Sequence, residues 1–167
     1  MRDMTGRPGE QRPLAGFREL VTPAWRVWYG SLHSQGEHLV YITASPECLA
    51  ELTALVPEIA AEHASLSLIY VRIARDEAAL ARINSQPDWA GKAVTFALNS
   101  AEAAQALAHT ADVILAGRKL QGPPAMRARP QGGRSGMVFL RRSGAGQETQ
   151  TEARRDRLSA LLGGSGN

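Results

Sequence analysis

Arg and Lys side chains gathered in a stretch free of carboxylates are suited to anions, and one such stretch runs from Val113 to Gln147 without an Asp or Glu. It carries Arg118, Lys119, Arg127, Arg129, Arg134, Arg141 and Arg142, interspersed with Gly and Pro. Basic segments of this kind contact phosphate groups with little sequence information, and they equally suit an acidic protein surface. These residues therefore read as an anionic-partner site. Apart from Phe139 the stretch has no aromatic side chain on which a base would stack, and it matches no nucleic-acid-binding motif.

A second constellation lies at the ends of apolar runs. Ser45, Arg75 and Asn99 with Ser100 each follow a short hydrophobic stretch, and Arg118 with Lys119 follow another. In an open parallel sheet the carboxy ends of the strands hold ligands, because helix amino termini there present unpaired N–H groups. Ser45, Arg75, Asn99 and Ser100 are thus the candidate ligands of a phosphate. No glycine-rich dinucleotide fingerprint follows the first strand and no Walker-type loop occurs, so neither common phosphate cradle is present. The first and third runs end in Thr43-Ala44-Ser45 and Leu98-Asn99, without the aspartate of a phosphoacceptor.

Other reactive residue types are isolated. His33 and His38 bracket Ser34-Gln35-Gly36-Glu37 at a spacing that fits no zinc motif and has no third ligand. Cys48, the sole cysteine, falls in the first turn of a predicted helix, but no base or resolving partner is legible beside it. Its solitude rules out an internal disulfide and fits a reducing, cytoplasmic compartment. Trp25, Trp28 and Tyr29 alternate along a predicted strand: Trp25, Val27 and Tyr29 share one face, while Trp28 points the other way with Arg26. Large aromatics on an edge strand are frequent interface anchors, so these three are the candidate protein interface.

The elements that position these residues follow from hydrophobic period. Trp25–Leu32, His38–Ala44, Ser67–Ala74, Ala93–Leu98, Asp112–Ala116 and Gly136–Leu140 read as strands, the first two joined as a hairpin. Pro46–His63 repeats Leu49, Leu52, Val56 and Ile59 at helical spacing, with Ser45 as N-cap and a kink or break expected at Pro57. Asp76–Ser85 and Ser100–Thr110 read as two shorter helices, the latter capped by Asn99 and Glu102. Strands alternating with helices imply crossovers between parallel neighbours. The expected fold is therefore α/β and Rossmann-like, a mostly parallel sheet of four or five strands with room for an antiparallel hairpin at one edge.

The chain of 167 residues suits one domain. Residues 1–23, rich in Arg, Pro and Gly, read as a flexible arm, 24–142 as the α/β domain with the basic segment 117–136, and 143–167 as a linker, a short helix and a disordered tail. No apolar run is long enough to span a membrane. By elimination the residues favour a non-catalytic binding or assembly module with a protein partner or a second copy of itself. A nucleic-acid accessory protein and a phosphate- or nucleotide-binding domain are the alternatives. No acid–base pair, activated nucleophile, metal cluster or cofactor motif assembles from the sequence, which makes an enzyme the weakest of the readings.

Overall fold

A computed structural model of the chain describes residues 14–30, 38–64 and 66–141. Seven strands form one sheet: β1 (Arg18–Val21), β2 (Trp25–Tyr29), β3 (His38–Ile42), β4 (Leu68–Ala74), β5 (Val94–Leu98), β6 (Ala128–Pro130) and β7 (Val138–Arg141). Three helices accompany it: α1 (Leu49–Ala60, entered through a 3-10 turn at Pro46–Cys48), α2 (Glu77–Asn84) and α3 (Ala101–Leu115). The sheet order is β1-β2-β4-β5-β3-β7-β6, and every neighbouring pair is antiparallel. This overturns the expected Rossmann-like, mostly parallel sheet.

The reason lies in helix length. A crossover between parallel neighbours must return the chain along the full strand, and the 7 residues of β4 span roughly 23 Å at about 3.3 Å per residue. The 8 residues of α2 cover only about 12 Å. The chain therefore leaves α2 near the end of the sheet where β4 stops, and β5 comes back antiparallel to it. By contrast, the 12 residues of α1 cover about 18 Å, so β4 does run in the direction of β3. The returning β5 then fills the gap between them, pairing with both.

Other local expectations shift for similar reasons. Asp112–Ala116, read as a strand, is the last turn of α3, because Ala104, Leu107, Ala108, Ala111 and Leu115 continue one buried helical face. The expected pairing of β2 with β3 does not occur. Instead β2 turns back on β1, which lies inside the stretch read as an arm, with Arg18 opposite Tyr29. Thr22 closes that turn, accepting the Trp25 N–H through its Oγ1 at 2.9 Å. α1 runs unbroken through Pro57. Ser100, rather than Asn99, caps α3 by accepting the Ala103 N–H at 3.1 Å, and Asp76 caps α2 in the same way.

All three helices contribute to the core on one face of the sheet, where Val40, Ile42, Leu52, Ile59, Val71, Ile73, Leu80, Val94, Phe96, Leu98 and Leu107 form a continuous apolar interior. The other face bears a smaller cluster of Leu39, Tyr41, Ile69, Tyr70, Ala97, Ala125 and Phe139. Burial on both faces explains why β4 and β5 read as uninterrupted apolar runs. No helix among the described residues is long and apolar enough to cross a membrane. The expected carboxy-terminal helix and tail, with Arg142 and His33, lie outside the described residues.

His63, just beyond α1, is buried, and its Nε2 has no hydrogen-bond partner. Burial lowers its imidazole below the ordinary value, opposed by the nearby Glu62. A histidine that titrates lower when folded than when unfolded leaves stability intact above the unfolded value near 6.5, and removes it as pH falls toward the folded value. The urea midpoint should therefore drop between about pH 7 and pH 5, and His63→Leu should flatten that slope. An unchanged slope in the variant would place the loss elsewhere.

Candidate functional site

The face of the sheet turned away from the helices gathers cations that the sequence scatters. Cross-strand pairing aligns Val27, Arg72, Thr95, Tyr41 and Phe139 in one row across β2, β4, β5, β3 and β7. Arg72 is almost fully enclosed, and its Nη2 donates to the Thr95 Oγ1 at 3.0 Å. Its guanidinium lies 4.4 Å from the centre of the Trp25 ring and 4.8 Å from that of Trp89. Lys92, two residues before β5, is 1% exposed, with Nζ 4.7 Å from the Tyr41 ring centre and 5.7 Å from that of Trp89. At the far side, Arg141 on β7 donates through Nη1 to the Tyr41 hydroxyl at 2.7 Å.

These contacts make one connected array in which aromatic rings and cations alternate: Trp25, Arg72, Trp89, Lys92, Tyr41, Arg141. Each ring offers its electron-rich face or its hydroxyl to a cation, about 0.5–2 kcal/mol per contact depending on desolvation. Strands β2 to β7 contain no Asp or Glu. An anion carrying more than one negative charge suits a cluster of this kind, because it accepts hydrogen bonds from guanidinium groups. Phosphate has that charge and that geometry.

Two loops are pinned against the rest of the fold. Residues 119–126 cross the end of β3, where Ser45 N–H donates to Gln121 O at 2.6 Å and the Thr43 hydroxyl bonds Pro123 O. Gly122 permits this approach, since any Cβ there would collide with Thr43 and Ala44. The turn between β6 and β7 is anchored by Asp112 of α3, whose carboxylate accepts the Arg134 N–H at 3.0 Å and the Ser135 N–H at 2.8 Å. Burial raises the Asp112 carboxyl, but the bonds from Ser135 and Arg134 outweigh it and leave the group below the ordinary carboxylate value.

The residues singled out from sequence fall in several places. Trp25 and Arg141 belong to the array, and Tyr29 sits beside Tyr70 on the same face. Trp28 points into the helix-side core and donates its Nε1 to Glu19 at 2.8 Å. The antiparallel order separates the proposed phosphate ligands: Ser45 and Arg75 lie at one end of the sheet, Asn99 and Ser100 at the other. Ser45 donates to the Cys48 sulfur at 3.3 Å, and Arg75 pairs with Asp76 at 3.0 Å. Among the basic residues, Arg118 pairs with Glu51 and Arg127 with Asp88, while Lys119 and Arg134 are exposed. Arg129 alternates to the side of β6 opposite Arg141.

Arg72, Lys92, Tyr41, Tyr70, Thr95 and Trp89 were not singled out. One signal existed: Arg72 interrupts the apolar run Ser67–Ala74, and a charge inside a buried strand demands a role.

No family model matches the chain, and no curated protein matches it. Solved structures do. The phosphothreonine lyase SpvC, an effector protein from Salmonella, superposes with a TM-score of 0.58 at 11% identity, covering 84% of this chain and 73% of that one. The Chromobacterium violaceum VirA (SpvC) phosphothreonine lyase effector gives 0.58 at 12% identity, over 84% and 74%. A further phosphothreonine lyase structure gives 0.56 at 9% identity, over 88% and 76%. At such identities the likeness establishes a shared fold. These neighbours are enzymes, so the fold speaks against the expected non-catalytic binding or assembly module, while the strand-edge phosphate site fails separately because the antiparallel order parts Ser45 and Arg75 from Asn99 and Ser100.

Asp112→Asn should cost about 1.5–3 kcal/mol, the worth of hydrogen bonds to a charged group, as read by urea unfolding. Gly133→Ala should destabilise as well, because its Cβ would overlap the Asp112 carboxylate. Full stability in both variants would show that the turn is held by other contacts.

Proposed function

We propose that this protein is a lyase that removes phosphate from a phosphorylated threonine or serine by β-elimination. The observation that carries the reading is the convergence of Arg72, Lys92 and Arg141 on one sheet face, in a fold shared with phosphothreonine lyases. Arg72 and Arg141 hold the phosphate oxygens, each already oriented by a hydroxyl, Thr95 for one and Tyr41 for the other.

Lys92 takes the Cα proton of the substrate. A lysine acts as a base after losing its own proton, and its amine on a flexible four-carbon stem can reach the Cα hydrogen. The electron pair left at Cα forms the Cα–Cβ double bond, and the Cβ–O bond breaks. Phosphate departs with that bond's electrons, its growing charge met by the two guanidinium groups. Water enters nowhere, and the products are inorganic phosphate and a dehydroamino acid.

A phosphothreonine peptide incubated with the protein should yield free phosphate and an unsaturated peptide absorbing in the near ultraviolet. Lys92→Ala should lower kcat by about 10²- to 10⁴-fold, the contribution of a positioned base. Arg72→Ala and Arg141→Ala should raise KM as well as lower kcat. Recovery of an intact threonine peptide would mean hydrolysis rather than elimination, and an unchanged phosphopeptide would overturn the reading.

A further inference from the structure

Elimination places a particular demand on the array. The abstracted proton and the departing phosphate sit on adjacent carbons, so base and phosphate holder must keep a fixed separation while neither blocks the other. Resting on the lyase reading, we propose that Trp89 is a positioning residue that sets the spacing between Lys92 and Arg72. Among the described residues it is the one aromatic ring that lies over both cations, at 4.8 Å from the Arg72 guanidinium and 5.7 Å from the Lys92 Nζ.

The loop carrying Trp89 is held firmly enough to act as a reference. Asn84, the last residue of α2, donates through Nδ2 to Ala44 O and accepts the Gly91 N–H through Oδ1, each at 3.1 Å. Ala90 O accepts the Met126 N–H at 3.1 Å. Gly91 adopts a φ of +78°, and its close approach to the backbone of Pro124 and Ala125 leaves no room for a Cβ. Lys92 N–H returns to Trp89 O at 3.1 Å, so the base and its guide share one turn. The indole is half-buried and inclined at 50° to Trp25, with ring centres 5.9 Å apart. Both tryptophans thus enclose the Arg72 guanidinium, while Trp89 alone extends the wall to Lys92.

Removing the indole takes one aromatic wall from each side chain, but Arg72 stays fixed on β4 by Trp25 and its Thr95 hydrogen bond, so phosphate holding persists, whereas Lys92 lies off the strand in the turn that Trp89 itself closes. The effect therefore falls on the chemical step. In steady-state kinetics with a phosphothreonine peptide, Trp89→Leu should lower kcat by about 10- to 100-fold with KM within about threefold, since misplacement by about 1 Å costs on that order. Trp89→Phe, which keeps a π face, should recover most of the rate. A crystal structure of Trp89→Leu should show the Lys92 ammonium displaced relative to Arg72 while the rest of the fold is retained. An unchanged kcat, equal losses in both variants, or an unmoved ammonium would overturn the assignment. If the native protein eliminates no phosphate, the lyase reading fails, and the crystal structure alone then decides whether Trp89 sets the spacing.

Discussion

Placing a guanidinium and an ammonium on the inner surface of a sheet costs several kcal/mol for each ion unless the protein replaces the lost water. This protein replaces it with aromatic faces and hydroxyl groups, in an order that alternates ring and cation from Trp25 to Arg141. The alternation is only available if β2, β4, β5, β3 and β7 lie side by side in that order, because Arg72, Thr95, Tyr41 and Phe139 meet through cross-strand pairing. The sheet order and the helices gathered on the opposite face both serve that placement. The two long helices and the short α2 all pack on that opposite face.

Much of the element list was legible, and the topology was not. The four strands of the centre stand where their apolar runs predict them, and the alternation that sets Trp28 apart from Trp25 and Tyr29 matches β2. Parallel pairing was inferred from the strand–helix rhythm alone, yet that rhythm also fits a helix too short to cross the sheet, as α2 is. The arithmetic of about 1.5 Å per helical residue against about 3.3 Å per strand residue was the available signal. Asp112–Ala116 misled because Val113 and Ile114 suit strands, whereas only the tertiary fold shows Ala111 and Leu115 completing a buried helical face.

The site was less legible still, because its members are far apart in sequence and inconspicuous alone. Arg141 stands within a basic stretch, but most of that stretch turns to solvent or to a nearby carboxylate, and what matters is which arginine alternates onto the face that bears Tyr41. Lys92 gave no sign, standing singly between Gly91 and an apolar run. Composition thus pointed to anions, and the register of β3, β5 and β7 decides which basic side chain lies beside Tyr41. A fold can persist at 9–12% identity because backbone hydrogen bonds, which do not depend on side-chain identity, carry the sheet.

The most direct test is a crystal structure with a phosphonate analogue of a phosphothreonine peptide, in which a methylene replaces the leaving oxygen and elimination cannot proceed. The account predicts phosphonate oxygens within hydrogen-bond distance of the Arg72 and Arg141 guanidinium groups, with the analogue's Cα turned toward the Lys92 Nζ. Density for the phosphonate at the end of the sheet near Ser45 and Arg75, or along Arg118 and Lys119, with Arg72, Lys92 and Arg141 unaltered, would contradict it.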